Sequence, residues 1–296
     1  MTEKAADLHV GFSIDSKFLP PLSVTVTSIL ENNRDLQFHF TVLLDSPRNG
    51  ELDALTSYVN KLGSSVDFIE LKVIEKSRLA DLEPYKPALY GRLFLPEILR
   101  TRTEHFLFMD ADLICRSSLT PLLSLQDSSC LLYAVPDEDQ DLRIKAIGLS
   151  GKFPYFNDGV MWINTRVWCE MNVTKNTLDE MRSDRSLFYS EQDALNRLLE
   201  GKVQYLDKKW NVMRGPSDKA IIRHYAFAKP WLPWSETFLD ETYVHYMEQG
   251  PWPNWKSFIR GRGNLRRYGL VLFQERRYLL WFFIFCKYLL TPRSTG

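Results

Sequence analysis

Short apolar runs that stop at aspartates punctuate the first half of the chain. Leu8 to Ile14 (LHVGFSI) reads as a strand ending at Asp15, and Phe38 to Leu44 as a second ending at Asp45. Between them LSVTVTSILENN is ambiguous. Its β-branched residues favour a strand, whereas its length before Asn32-Asn33 suits a helix. Asn49 to Leu62 places Leu52, Leu55, Tyr58, Val59 and Leu62 at helical spacing, and Val66 to Val73 reads as a third strand. Leu89 to Leu99 has helical spacing again, with Pro96 expected to bend or end it. The clearest strand, His105-Phe-Leu-Phe-Met109, runs into Asp110-Ala-Asp112. Leu131 to Val135 ends at Pro136-Asp137, and Phe156 to Asn164 (FNDGVMWIN) reads as a turn feeding a buried strand.

Strands alternating with helices imply an α/β fold with a mainly parallel, doubly wound sheet. In such sheets ligands bind beyond the carboxyl ends of the strands. Asp15, Asp45, Asp110, Asp112 and Asp137 all fall at such ends, which is the first functional hint.

Composition changes this picture little. With 296 residues, 45% hydrophobic and 25% charged, the chain can bury a core as one large domain or two small ones. Cys115, Cys130, Cys169 and Cys286 form no CxxC pair, so reduced cytosolic thiols are expected rather than a disulfide or zinc framework. MTEKAADLHV has no apolar h-region of a signal peptide. The longest uncharged apolar run near the end, Tyr278 to Cys286, is far short of the roughly 20 residues that span a bilayer. Charge is more telling. The net charge is zero, yet Lys256 to Arg293 holds nine Lys/Arg against one acid, Glu275, or 9 − 1 = +8. An acidic body therefore carries a basic tail that seeks anions.

Asp-x-Asp alone is a weak motif, and the chain has three: 110/112, 137/139 and 139/141. Position separates them. Asp110 and Asp112 follow an apolar strand, and strand alternation would send both carboxylates to one side. Paired hard oxygens beside a cleft suit Mg²⁺ or Mn²⁺ bridging a diphosphate. A phosphatase of the haloacid-dehalogenase type also ends a strand in Asp-x-Asp. Its motif, however, lies on the first strand and continues with x-Thr or x-Val, whereas here Leu113-Ile114 follow a hundred residues in. In His224-Tyr-Ala-Phe-Ala-Lys229-Pro-Trp231, His224 can supply an imidazole ligand and Lys229 a cation for phosphate.

Taken in order, the strand with DAD at 106 to 112, Tyr90-Gly-Arg92-Leu, Phe156-Asn157-Asp-Gly-Val, Glu191-Gln192-Asp193-Ala-Leu-Asn196, Trp210-Asn211 and HYxxxKPW resemble the motifs of glycosyltransferase family 8. The resemblance covers about residues 8 to 235, and the chain looks like the bacterial lipopolysaccharide glucosyl/galactosyltransferase branch. It implies a GT-A fold, a UDP-glucose or UDP-galactose donor, Mn²⁺ (or Mg²⁺), and retention at the anomeric carbon. It also makes residues 23 to 31 a helix. By position, Asp110, Asp112 and His224 would hold the metal. Ser13 and Asp15 would meet the nucleoside and Lys229 the diphosphate, with Arg92, Asn157, Glu191 and Gln192 around the donor sugar. Gln192 would lie near the anomeric carbon and Asp137 between donor and acceptor. Two departures stand out: Glu191 where the family often has Asp, and Phe227 where its turn has Gly, one residue short of the usual spacing before the Lys.

The mechanism implied is a same-face substitution in which the leaving phosphate takes the acceptor proton, since the amide of Gln192 is a poor nucleophile; Glu191 as nucleophile is the weaker option. The expected organisation is a GT-A domain over 1–255 and a basic, aromatic tail over 256–296. On one continuous helix, Arg262, Arg266, Arg276, Arg277 and Lys287 would share a face interrupted by Phe273 and Leu280. Basic amphipathic segments lie on anionic bilayers. A cytoplasmic protein, peripheral on the inner face of a bacterial cytoplasmic membrane and acting on a lipid-linked oligosaccharide, is therefore expected. A self-glucosylating glycogenin-like starter and an inactive membrane-binding relative are the alternatives. No nucleic-acid module is visible.

Overall fold

The computed structural model describes residues 6–45, 49–71, 78–79, 82, 87–125, 127–233, 235, 237, 239–253, 255, 262–274, 276 and 278–290. The chain divides into two compact units, Met1–His224 and Tyr225–Gly296.

The first unit is built on a mixed, mainly parallel seven-stranded sheet in the order β3-β2-β1-β4-β7-β6-β8. Its strands are β1 (Ala6–Ile14), β2 (Leu36–Leu44), β3 (Ser65–Glu70), β4 (His105–Met109), β6 (Leu132–Pro136), β7 (Phe156–Asn164) and β8 (Val203–Tyr205). A two-stranded ladder pairs β5 (Leu113–Cys115) with β9 (Ile222–His224). The helices are α1 (Leu19–Asn32), α2 (Asn49–Lys61), α3 (Pro87–Tyr90), α4 (Leu95–Leu99), α5 (Gln140–Ala146), α6 (Thr165–Glu170), α7 (Val173–Ser183) and α8 (Ser190–Leu198).

The strand direction decides what reaches the site. β7 is antiparallel to both its neighbours, β4 and β6, while every other pairing in the sheet is parallel. The beginning of β7, Phe156 to Gly159, therefore comes to the edge where β1, β2, β4 and β6 end.

The ambiguous stretch after β1 is a helix, as the family resemblance implies. Pro20 and Pro21 occupy its first turn, where a missing N–H costs nothing, and Leu22 to Leu30 are all buried. Helical periodicity is hidden because both faces are covered. Its hydroxyls instead serve β5. Thr25 Oγ1 donates to Leu113 O at 2.7 Å and lies 3.0 Å from Ala111 O, while Ser28 Oγ accepts from Cys115 N at 2.8 Å. The helical stretch expected from Leu89 to Leu99 is broken earlier than at Pro96: α3 and α4 flank a 3-10 turn, Gly91–Leu93, and Pro96 lies in the first turn of α4 rather than bending or ending a helix. The turn brings Gly91 against β1, where an added Cβ would lie 2.1 Å from Ser13 Oγ. Phe156 already belongs to β7, with a register shift opposite Ala134/Val135 in place of a turn. β3 ends at Glu70; residues 72 and 73 of the expected strand lie outside the described residues.

The second unit contains α9 (Glu241–Gln249), α10 (Arg262–Gln274) and α11 (Tyr278–Leu290). Asp240 caps α9 by accepting from Thr242 N and Tyr243 N. Tyr225, Trp231, Tyr243 and Trp255 pack ring to ring. The tail is not one continuous helix. Arg276 takes a left-handed φ of 58° between α10 and α11, and Phe273 packs edge-on to Tyr278 and Trp281. The shared basic face expected of a single helix is thereby divided between two; Arg277 lies outside the described residues. Among the described residues no helix is long and apolar enough to cross a membrane.

Candidate active site

The site begins at Asp110. β4 stops at Met109, and the next three residues form a bend leading into β5. The two carboxylates converge through that bend rather than through the strand alternation expected from sequence. The Asp110 amide donates to Gly159 O at 2.9 Å, tying the bend to β7, and Thr25 holds its far side. Antiparallel pairing of β5 with β9 sets Leu113 opposite His224. That register carries His224 to the aspartates: its Nε2 lies 3.3 Å from Asp112 Oδ1 and 3.8 Å from Asp110 Oδ2. Ligand atoms of the three residues lie within 4.8 Å of one another.

Hydrogen-bond direction tests whether this cluster suits a cation. Gly159 N can only donate, so the atom it meets on Asn157 at 3.0 Å is the carbonyl Oδ1. Oδ1 also accepts from Asn211 Nδ2 at 2.8 Å, which leaves Asn211 Oδ1 to accept from His224 Nδ1 at 2.9 Å. Nδ1 thus carries a proton, which leaves Nε2, facing two carboxylates, as the nitrogen able to ligate. Three acceptors pointing at one spot call for a cation, and an anchored Nδ1–H is the usual support of a ligating histidine. Gly159 leaves the room: an added Cβ would sit 2.5 Å from His224 Cε1 and 2.8 Å from Asp110 Oδ2. The residues present fit a divalent metal.

A cavity of about 440 Å³ adjoins this cluster, within the roughly 300–1,000 Å³ of small-molecule sites. Ser13, Asp15, Asp45, Leu89, Arg92, Asp110 and Asp112 line it. Asp15 caps the turn after β1 by accepting from Lys17 N at 2.9 Å, and Asp45 accepts from Ser16 N at 2.8 Å. Ser13 Oγ is buried with no hydrogen-bond partner among the described residues.

Arg92 is buried and surrounded by acids. Its Nη2 meets Asp110 Oδ1 at 2.9 Å and its Nη1 meets Asp158 Oδ1 at 2.7 Å, while Nε donates to Leu89 O. Burial opposes its charge, yet Asp110, Asp158 and Glu191 together hold it protonated even above the ordinary range. Burial pushes the Asp158 carboxyl above the usual carboxylate range, against the pull of Arg92. The guanidinium therefore organises the carboxylates around it.

Beyond Leu89 a second cavity, about 520 Å³, is lined by Tyr90, Asp158, Phe188, Tyr189, Glu191 and Gln192 among others. α8 is clamped to β7 by Asn196, which accepts from Phe156 N and donates to Phe156 O. This delivers Gln192 to Asn157: Gln192 Oε1 accepts from Asn157 Nδ2 at 3.2 Å and from Asp158 N at 3.1 Å. Asn157 Nδ2 also donates to Asp137 Oδ2 at 3.1 Å.

The first unit thus brings together Ser13, Asp15, Arg92, Asp110, Asp112, Asp137, Asn157, Glu191, Gln192 and His224 of the residues singled out from sequence. Lys229 and Phe227 belong to the second unit, where Lys229 Nζ donates to Tyr225 O and Ala226 O and Phe227 is exposed. Three participants had no role assigned from sequence. Asn211, Asp158 and Gly159 stood inside quoted motifs, and only the strand pairing reveals what they touch.

A GT-A-type sheet with an acidic and imidazole cluster at its carboxyl edge defines a sugar-transferase scaffold. The model of the family described as Glycosyl transferase family 8 matches residues 9–235. The chain belongs to glycosyltransferase family 8, the UDP-sugar-dependent hexosyltransferases, whose members use a divalent metal. Among its relatives are the lipopolysaccharide 1,2-glucosyltransferase of Escherichia coli (strain K12), 24% identical over 83% of this chain and 79% of that protein, and the lipopolysaccharide 1,3-galactosyltransferase of Salmonella typhimurium, 26% identical over 84% and 80%. The fold is that of the galactosyltransferase LgtC, solved with donor and acceptor sugar analogs: the TM-score is 0.71 at 23% identity, covering 82% of this chain and 96% of that one.

Proposed function

We propose that the chain moves glucose or galactose from a UDP-sugar to a lipid-linked saccharide of the lipopolysaccharide-core kind, with retention of configuration and Mn²⁺ (or Mg²⁺) as cofactor. The observation that carries this reading is the convergence of Asp110, Asp112 and His224 Nε2 beside the 440 Å³ cavity. The names of the relatives support the hexose and the acceptor class.

Asp110, Asp112 and His224 would hold the metal, which when bound offsets the charge of a departing diphosphate. Ser13 and Asp15 meet the nucleoside. Arg92, Asn157 and Glu191 position the sugar, and Asp137 lies toward the acceptor. Lys229 stands as a counter-charge for the diphosphate by the family motif. Gln192 presents a neutral carbonyl oxygen, a poor nucleophile that suits stabilising positive charge at the anomeric carbon. The acceptor hydroxyl then forms the new bond on the face the diphosphate leaves, and its proton passes to the departing phosphate oxygen.

Residues 256–296 serve as a membrane-surface segment, placing the protein in the cytoplasm on the inner face of the membrane. The exposed rings of α11 and the basic charge of the tail support this. A panel of UDP-hexoses assayed against core-oligosaccharide acceptors, with Mn²⁺ and with a chelator, tests the whole reading. Metal-dependent transfer with the α or β configuration of the donor kept in the product is expected. Inversion by product NMR, or full turnover in the chelator, would overturn it; glucose appearing on the protein itself would indicate a self-glucosylating enzyme instead.

A further inference from the structure

Gln192 is held from behind by residues that line neither the nucleotide cavity nor the metal cluster. Its Nε2 donates to Tyr155 OH at 2.8 Å, and that hydroxyl donates to Asp193 Oδ1 at 2.7 Å. Asp193 Oδ2 pairs with the Arg143 guanidinium and also accepts from Tyr189 N at 3.0 Å. Tyr155 and Asp193 are fully buried.

The donor and acceptor roles along this line are forced. Arg143 and the Tyr189 amide can only donate, so Asp193 meets them as an acceptor. Tyr155 must therefore spend its one proton on Asp193; burial and Asp193 keep that phenol protonated. Its oxygen is then left to accept, so the group it meets on Gln192 must be the NH₂. From the other side Asp158 N can only donate, so it must meet the amide oxygen. Both ends impose the same orientation, and turning the amide over would set donor against donor and leave buried groups unpaired.

We propose that Arg143, Asp193 and Tyr155 form a positioning relay that fixes the amide of Gln192 with its carbonyl oxygen toward Asn157 and the reacting sugar. This rests on the function proposed above. Asp193 is thereby a positioning residue and not a nucleophile, because Tyr155, Arg143 and the Tyr189 amide occupy its carboxylate in the interior.

The test is a cycle of Tyr155→Phe and Gln192→Ala, each alone and combined, in the full-length chain with Mn²⁺. Turnover and KM for the UDP-hexose are measured, with UDP affinity by calorimetry and melting temperature alongside. Tyr155→Phe should lower kcat about tenfold or more while KM and UDP affinity hold, and should have no further effect once Gln192 is Ala. Arg143→Gln, nearer the surface, should lower kcat in the same way but less, and provides the measurement if Tyr155→Phe does not fold. Equal losses from Tyr155→Phe in the parent and in Gln192→Ala would reduce Tyr155 to core packing and overturn the relay. So would parent-like kcat in both Tyr155→Phe and Arg143→Gln. A parent chain that turns over no UDP-hexose would instead sink the proposed function.

Discussion

Asn157, Asn211, Gln192 and Asp193 sit in a network at the carboxyl edge of the large sheet whose polar atoms answer one another. α11 is the opposite: it buries no residue, and Leu279 and Leu290 are 85% and 84% exposed, with Phe282, Phe283 and Phe285 also in the open. The first region is polar and enclosed, the second apolar and uncovered. Burial order is thus set by whether partners exist, not by polarity alone. An amide with four matched neighbours is at home in the interior, whereas the exposed rings of α11 have no cover among the described residues.

The largest effect should come from filling the one gap the polar region keeps. Gly159→Ala drives a methyl into His224 and Asp110, and a displacement of that size at reacting groups costs about a hundredfold or more in rate. Turnover and a Mn²⁺ titration should both collapse while the circular dichroism spectrum stays native; parent-like Mn²⁺ dependence would show that the cluster is not where the metal acts. Next comes Thr25→Val, which removes the hydroxyl from two buried carbonyls at 110–113 while keeping the shape. A loss of about 1–3 kcal/mol in urea unfolding is expected, with weaker Mn²⁺ affinity as the bend loosens.

On the uncovered side, Phe282→Ser combined with Phe283→Ser should leave stability within about 0.5 kcal/mol, since both rings are exposed. Binding to anionic vesicles should fall clearly. A drop in melting temperature of several degrees would mean those rings pack on protein. Arg214→Ala, which breaks a half-exposed ion pair with Asp139, should cost no more than about 1 kcal/mol in urea unfolding and leave vesicle binding unchanged.

How much of this the sequence discloses follows the same division. β1, β2, β4 and the aspartates after them are legible because an apolar run ending in an acid is a local signal. The helical state of α1 is not, since covering both faces erases its period and leaves only β propensity. The joining of His224 to Asp112 is illegible by periodicity, because it depends on a ladder between segments more than a hundred residues apart; ligand chemistry made His224 a candidate, and the family motif set it beside the aspartates. The break at Arg276 is likewise hidden, for no Gly or Pro announces that left-handed turn. Tyr155 carries no signal at all: its importance lies in where its single proton goes.

The antiparallel course of β7 has a consequence for how this chain can change over evolutionary time. By bringing Asn157, Asp158 and Gly159 to the edge in succession, it threads one line of donors and acceptors from Arg143 to His224, and such a line has a parity. Asn157→Asp would keep an acceptor for Gly159 N and Asn211 Nδ2 but set its second oxygen against Gln192 Oε1 and Asp137 Oδ2, so that Gln192 could turn only at the expense of its bonds to Tyr155 and Asp158 N. Selection for activity from a library randomised at 157, 192 and 211 should therefore return compensated combinations in preference to single replacements.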